Sequence, residues 1–180
     1  VNALRTPIFA EMINIVNGGD VSFNDFLFEE NHIKNSIINY QFNNNRAITK
    51  SIITWWAFQN TNQELLPLDT ILETEHIFAK NRQDKEKSLK DSSNLEKLGN
   101  KVLLEKRINI RASDYRFEDK KKYYKGYRTE RGQVKEATKI FELLNLADTH
   151  TDFVENDIVV RNAEIIDGFI GYLRLNNLLK

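Results

Sequence analysis

The chain has 180 residues, of which 41% are hydrophobic, and its 26 basic residues balance 26 acidic ones. A chain of this length and composition can bury a core and suits one domain or two small ones. It has no cysteine, which excludes disulfides and thiolate metal sites and favours a cytoplasmic location. Since no apolar run reaches the roughly 20 residues of a membrane-spanning helix, we expect a soluble protein without a membrane partner.

Helices are predicted for the first third of the chain. Apolar residues at helical spacing run from Leu4 to Ile15 and end at Gly18-Gly19. Ser22 can cap a second helix, which would run through Phe26, Ile33, Ile37 and Ile38. A third helix is predicted from Ala47 to Phe58. We place a domain boundary near residue 66, which separates a helical N-terminal segment, residues 1–66, from residues 67–180.

Short extended segments follow this boundary. Leu68 to Ile77 is predicted to be a strand, and Lys80 to Ser93 is charged and without periodicity, which indicates a solvated loop. Lys101 to Leu104 is predicted to be a second short strand. Ser113 or Asp114 can then cap a helix that runs to Tyr124.

Two more helices complete the prediction. Thr129 to Leu146 carries apolar residues at helical spacing, and a last helix follows Asn156 and continues nearly to the end of the chain. The predicted fold class is therefore α+β and predominantly helical, with a small strand, strand, helix unit inserted among packed helices.

Four polar side chains around the two predicted strands suggest phosphodiester chemistry. Glu75-His76 ends the first strand, Asn100 precedes the second, and Asn109 follows nine residues later. A neutral imidazole can take a proton from water. One carboxylate and one amide oxygen suffice for Mg²⁺, so Glu75 and Asn109 are the natural pair.

The geometry of a strand restricts how these side chains can combine. Adjacent side chains of a strand point to opposite faces, so Glu75 and His76 can share one site only where the strand ends or bends. Asn100 can either accept the ring N–H of His76 or hydrogen-bond the flanking backbone. Taken singly, Asn100 also fits a turn before a strand, and Asn109 fits a helix cap.

The basic residues are concentrated in one part of the chain. Residues 101–139 hold thirteen lysines and arginines against six acidic residues, a net charge of +7, and the rest of the chain carries −7. Such a segment is commonly a solvated helix face, and it can also follow a nucleic-acid backbone. The predicted nucleic-acid-binding residues are Lys101, Lys120, Lys121, Lys122, Lys125, Arg128 and Arg131.

These motifs carry a family resemblance. Glu75-His76, then Gly99-Asn100-Lys-Val-Leu-Leu104, then Asn109 resembles the HNH (His-Me finger, ββα-metal) nuclease motif, including the HNH module of RNA-guided CRISPR nucleases. The chain is more closely similar to HNH domains of the GmrSD-type restriction and phage-defence family. Later positions of that family's pattern are filled by Phe117-Glu-Asp-Lys120-Lys121-Lys122-Tyr123-Tyr124 and Ile158-Val-Val-Arg161. The resemblance covers roughly residues 68–175 and departs at Ala79, where these families commonly have proline.

The resemblance implies a role for each matching residue. It implies His76 as general base, Asn100 as its structural partner, and Glu75 and Asn109 as ligands of a divalent metal. Mg²⁺ is the first expectation for that metal, with Mn²⁺ or another ion as the alternative. Lys120 or Lys121 would contact the phosphate.

At the level of the whole chain, the resemblance implies a metal-dependent DNA endonuclease of restriction or phage defence. Residues 67–180 would form the nuclease domain with C-terminal helices, and residues 1–66 would serve packing or specificity. The partners would be DNA and a ParB-like nucleotidase domain or subunit absent from this chain.

Two alternatives stay open. One is a non-catalytic nucleic-acid-binding or assembly module that retains the HNH fold. The other is a toxin-like ribonuclease, because a metal site of this kind touches the phosphate and not the base.

Overall fold

The computed structural model describes residues 2–21 and 27–180. Its helices in chain order are α1 Asn2–Val16, α2 Glu30–Asn39, α3 Ala47–Phe58, α4 Lys80–Glu86, α5 Lys106–Ala112, α6 Phe117–Lys125, α7 Phe141–Thr149 and α8 Glu155–Leu175. Its strands are β1 Leu72–His76, β2 Lys101–Glu105, β3 Tyr127–Arg128 and β4 Val134–Lys135. Short 3₁₀ turns occupy Ser92–Glu96 and Leu98–Asn100.

The chain divides into two compact units. One comprises the residues up to Ile37 together with Gly168–Lys180, and the other comprises Ile38–Asp167. The predicted boundary near residue 66 does not coincide with this division, because α3 packs against β1 and β2 inside the second unit. A role of residues 1–66 in specificity stays a prediction.

The centre of the second unit is the antiparallel pair of β1 and β2. Glu73 pairs with Leu104, Glu75 with Val102 and His76 with Lys101. Val102, Leu103 and Leu104 are fully buried, and α5 follows β2 directly and packs on both strands. The predicted strand, strand, helix unit is therefore present, and the predicted α+β, mostly helical fold class is confirmed.

Several predicted elements agree with the structure. The third predicted helix has the bounds of α3, and the last predicted helix corresponds to α8. The first predicted helix corresponds to α1, although apolar residues of α1 such as Phe9 and Ile13 are more than half exposed. In the second predicted helix, Ser22 and Phe26 lie outside the described residues, and α2 begins at Glu30.

The predicted solvated loop from Lys80 to Ser93 is wrong in its first half, which forms α4. All residues from 80 to 86 are polar, so the sequence shows no apolar stripe that would indicate a helix. Contacts of Arg82 stabilise the helix. Its guanidinium forms two hydrogen bonds of 2.8 and 2.7 Å to Asp152 and lies over the ring of Phe78. Lys87 then ends the helix in a left-handed conformation with φ of 49°.

The predicted helix from Thr129 to Leu146 is also wrong over its first half. β3 and β4 form a hairpin there, and α7 begins only at Phe141. Gly132 in the hairpin loop has φ of 77°, a conformation that glycine adopts without steric cost and that a helix excludes. The apolar spacing of Val134 and Ala137 matched a helix by coincidence. The predicted caps Ser113 and Asp114 are likewise wrong, because Arg116 precedes α6.

Within the described residues, none of the helices combines the length and the apolar character that crossing a bilayer requires.

Candidate active site

The pair of β1 and β2 divides the predicted site residues between its two faces. His76 and Lys101 are directly opposite each other, so their side chains lie on one face. Glu75 pairs with Val102, and its side chain lies on the other face. The structure therefore does not bring Glu75 and His76 together in one cluster.

His76 is held through both nitrogens of its ring. The Nδ2 atom of Asn44 lies 3.2 Å from Nδ1, and Oε1 of Glu96 lies 3.3 Å from Nε2. Lys101 places its Nζ atom against Nε2 as well. The side chain of His76 is 18% exposed. Neither Asn44 nor Glu96 was predicted from the sequence, because they come from the loop before α3 and from the 3₁₀ turn before β2.

The hydrogen bonds of Asn44 indicate which ring nitrogen of His76 carries the lone pair. Asn44 donates from Nδ2 to the carbonyl oxygen of Thr74 at 3.0 Å and accepts at Oδ1 from Lys101 at 2.9 Å. This orientation directs an N–H of Asn44 at Nδ1, so Nδ1 carries the lone pair. A neutral ring with its proton on Nε2 satisfies the carboxylate of Glu96 but opposes the ammonium group of Lys101, which can only donate, so this assignment rests on Asn44 and Glu96.

Lys101 is fully buried, and this corrects its predicted role on a nucleic-acid-binding surface. Its Nζ atom forms an ion pair of 2.7 Å with Glu96 and cannot reach a phosphate in solution. Burial lowers the pKa of Lys101 to about 8, although the hydrogen bond and the charge of Glu96 oppose the shift.

The lowered pKa of Glu96 leads us to expect a loss of unfolding free energy in acid. Burial alone would raise its pKa, but the hydrogen bonds from His76 and Lys101 lower it from 4.5 to about 2. A carboxyl group whose pKa is lowered by folding stabilises the fold above its unfolded pKa, and this contribution is lost as the pH falls. We therefore expect the wild type to lose more unfolding free energy than Glu96→Gln between pH 4.5 and about pH 2. Urea unfolding at several pH values measures both slopes, and equal slopes would contradict this account.

Asn100 is completely buried and ties together three segments. Its Oδ1 accepts from the backbone N–H of Phe78 at 2.7 Å. Its Nδ2 donates to the carbonyl oxygens of Phe78, at 3.1 Å, and of Leu95, at 3.0 Å. Of the two possibilities predicted for this side chain, the structure has the hydrogen bonds to flanking backbone. Asn100 thus fixes the chain directly after β1 instead of touching the ring of His76.

Glu75, the predicted metal ligand, is buried in an ion pair. Its Oε1 atom lies 2.5 Å from Nζ of Lys120 and accepts from the hydroxyl of Tyr124 at 3.1 Å. Lys120 also donates to the carbonyl oxygen of His76 at 2.7 Å. Burial, followed by the charge of Glu75, raises the pKa of Tyr124, so this hydroxyl remains a donor.

This arrangement corrects the predicted role of Lys120. The side chain is 1% exposed, so it does not present its ammonium group to a phosphate. It neutralises a buried carboxylate and, through the carbonyl oxygen, holds the backbone of His76.

Asn109 lies on α5 beside a different carboxylate, that of Glu73. Its Nδ2 donates to Oε2 of Glu73 at 2.9 Å, and Lys106 lies 3.8 Å from Oε1. The side chain of Glu73 is 36% exposed, so its oxygens are accessible. Glu73 was not predicted as a site residue, although its position two residues before Glu75 on the same face of β1 could have shown it.

The oxygen donors beside α5 can be compared with what a divalent ion needs. Among the described residues, no three His, Cys, Asp or Glu side chains are grouped to hold a metal. Mg²⁺ does not need three, because it keeps several waters and binds through one or two carboxylates. Glu73 and Asn109 supply one accessible carboxylate and one amide, and fit this requirement. Glu75 fits less well while its Oε1 is held by an ammonium group.

The remaining basic residues of the predicted surface are at least partly exposed, and some already have partners. Lys125 forms an ion pair of 2.6 Å with Asp148. Lys121 donates to the carbonyl oxygen of His150, also at 2.6 Å. Lys122 lies over the ring of Tyr123, whereas Arg128 and Arg131 are exposed on the hairpin.

Arg161 of α8 braces the turn that carries Asn100. Its Nη1 donates to the carbonyl oxygens of Leu98, Gly99 and Lys101 at 2.8 to 3.0 Å. Its Nε and Nη2 atoms bind Glu142. Arg161 is part of the family pattern found in the sequence, but only the structure shows what it contacts. It anchors the start of β2.

These features define an α+β domain whose site is built on a ββα unit, with a histidine at the end of the first strand and an asparagine on the helix. The chain belongs to the family of GmrSD restriction endonuclease C-terminal domains, whose sequence profile matches residues 27–167. The family resemblance identified in the sequence is thereby confirmed. Comparisons with curated proteins and with solved structures found no match.

Proposed function

We propose that this chain is a metal-dependent endonuclease that hydrolyses phosphodiester bonds of DNA by HNH chemistry in restriction or phage defence. One observation carries the proposal: His76 lies at the end of β1 with a partly exposed side chain, and its Nδ1 faces Asn44, an exposed residue. Membership of a restriction endonuclease family supports the same reaction class. The expected cellular setting is the cytoplasm, with a ParB-like domain or subunit as partner.

His76 is the proposed general base. Its Nδ1 faces Asn44, which is an exposed residue, so a water can take the place of the amide and lose its proton to Nδ1. The ring then becomes positively charged. The carboxylate of Glu96 faces Nε2 and stabilises this charge, and it also offsets the neighbouring charge of Lys101.

A divalent ion would be held by Asn109 with Glu73, and by Glu75 only if Lys120 releases its carboxylate. When bound, such an ion neutralises charge that develops on a phosphate during hydrolysis. The protein holds these oxygen donors beside α5, on the face of β1 opposite the side chain of His76, so a phosphate that contacts both the ion and His76 would have to lie across the end of β1. Lys106, 3.8 Å from Glu73, would be displaced from that carboxylate or would share it.

Removing the proposed base is expected to abolish most cleavage. His76→Ala should nick supercoiled plasmid DNA about 10² to 10⁴ times more slowly than the wild type, because general base catalysis contributes that much. Both proteins are assayed with Mg²⁺, with EDTA, and with Mg²⁺ restored after EDTA. The wild type should cut only when metal is present.

The matched control for this experiment is His32→Ala, which removes an exposed histidine of α2 and should leave cleavage unchanged. Equal, metal-independent activity in the wild type and His76→Ala would refute the proposal. Tight binding without cleavage under any divalent metal would favour the non-catalytic module instead. Adding a mixed pool of DNA and RNA distinguishes the DNA endonuclease from the toxin-like ribonuclease.

A further inference from the structure

A groove runs between α5, the β3–β4 hairpin and the segment before β1. Its volume is about 670 Å³. Five basic side chains line it, contributed by α5, by the hairpin and by the chain after the hairpin: Lys106, Arg107, Arg111, Lys135 and Lys139. None of them belongs to the surface predicted from the sequence.

The groove has a net positive charge, because five basic side chains line it against three acidic ones, Asp69, Glu105 and Glu136. Arg107, Arg111, Lys135 and Lys139 form no ion pair with any residue in the described part of the chain. Among the acidic residues, Glu105 accepts from two neutral donors, the hydroxyl of Thr138 and the backbone N–H of Lys139, and so keeps its negative charge.

Arg111 also has an unsatisfied donor. Its Nε atom is buried and has no hydrogen-bond partner among the described residues. A buried donor without a partner costs free energy, so binding of an acceptor is favoured where the side chain of Arg111 turns its Nε atom toward the groove. A phosphate oxygen is such an acceptor, and an arginine guanidinium matches its geometry.

The basic residues of α6 are bound to other groups of the protein more often than those of the groove. There, Lys120 is buried against Glu75, Lys125 is paired with Asp148, and Lys121 donates to a carbonyl oxygen. Four of the five groove cations thus have no ion pair among the described residues, compared with two of the four lysines of α6, Lys121 and Lys122.

We propose that this groove binds the sugar-phosphate backbone of a DNA duplex. The assignment to DNA rests on the proposed endonuclease function. The placement of two arginines supports it, because Arg107 and Arg111 lie one turn apart on α5 and line the groove from the same face of the helix. Asn109 is two residues from each arginine, so it lies on a different face of α5 and does not line the groove.

The test is equilibrium binding of a fluorescently labelled DNA duplex, measured by anisotropy in EDTA so that no cleavage occurs. The groove variant Arg107→Gln/Lys135→Gln/Lys139→Gln is compared with Lys122→Gln/Lys125→Gln/Arg128→Gln, which also removes three positive charges. The groove variant should bind about tenfold more weakly or worse, and its slope of log K against log salt should fall by about 0.9 for each lost phosphate contact. The control should change much less in both quantities.

Equal losses in the two variants, or an unchanged groove variant, would overturn the proposal. Thermal unfolding of both variants serves to check that each is folded. Arg111 is left unchanged because it is partly buried. An RNA duplex of the same sequence is measured in parallel, and preferential binding of RNA through the groove would overturn the assignment to DNA. Because cleavage plays no part in the measurement, its failure is distinguishable from failure of the nicking assay.

Discussion

Replacing Lys120 with methionine is expected to lower the free energy of unfolding by about 3 to 5 kcal/mol. Methionine fills much of the same space, but the carboxylate of Glu75 then remains buried without its cation. Breaking a buried ion pair by removing one partner is strongly destabilising for this reason. The change also removes the hydrogen bond of 2.7 Å to the carbonyl oxygen of His76.

Urea unfolding of Lys120→Met and of Lys121→Met makes the comparison direct. Lys121 is the next residue on α6 but hydrogen-bonds only a carbonyl oxygen, so its replacement should cost about 1 kcal/mol. The double variant Lys120→Met/Glu75→Gln removes both charges and should recover most of the loss. If the double variant is as unstable as the single one, packing rather than ion pairing explains the effect.

The position of Lys120 shows what the sequence could and could not reveal. The run Lys120-Lys121-Lys122 looks like a uniform basic patch, and the sequence predicts nucleic-acid binding for all three residues. On a helix, however, Phe117, Lys120 and Tyr124 share one face, and all three are buried. Applying helical periodicity to the charged residues, and not only to the apolar ones, would have separated Lys120 from its neighbours.

No sequence pattern indicates which residues surround the side chain of His76. Asn44 lies in an asparagine-rich connection 32 residues before His76, and Glu96 lies in a charged segment 20 residues after it. Both become neighbours only because the chain before α3 and the 3₁₀ turn before β2 reach the same face of the sheet. Local pattern predicts the strands that carry His76 and Asn100, whereas long-range packing decides what those side chains contact.

The charge of the segment 101–139 illustrates the same limit. Composition located the excess of basic residues correctly, but it could not distinguish paired cations from unpaired ones. The wrongly predicted helix concealed the β3–β4 hairpin, which brings Lys135 toward α5 and closes the groove. Four of the seven predicted binding residues therefore lie on α6, where Lys120 and Lys125 are already in ion pairs.

A second large loss of stability is expected for Gly99→Ala, because α8 leaves no space for a methyl group. A Cβ atom at this position would lie 1.9 Å from the carbonyl oxygen of Ile158 and 2.7 Å from the backbone nitrogen of Asn162. These are backbone atoms of a helix, which cannot rotate away as a side chain can. Overpacking typically costs about 1 to 3 kcal/mol, and because the clash is with backbone atoms we expect a loss at or above the upper end of that range.

The same substitution at Gly171 provides the matched control. Gly171 also lies in α8, but no atom is within 4 Å of its added Cβ, so Gly171→Ala should stabilise the helix by about 0.5 to 1 kcal/mol. The two variants should thus differ in sign when their unfolding free energies are compared. A loss below about 1 kcal/mol for Gly99→Ala would mean that α8 shifts easily away from the turn.

Gly99→Ala should also slow DNA cleavage at temperatures where the variant is still folded. Gly99 accepts a hydrogen bond from Arg161 and donates one to Asn162, and the next residue is Asn100. Pushing this turn away from α8 therefore moves the side chain that fixes the backbone after His76. Circular dichroism and nicking rates at the same low temperature separate the two effects. A folded variant with wild-type cleavage would show that the site tolerates this displacement, and that α8 supports the fold without positioning the histidine.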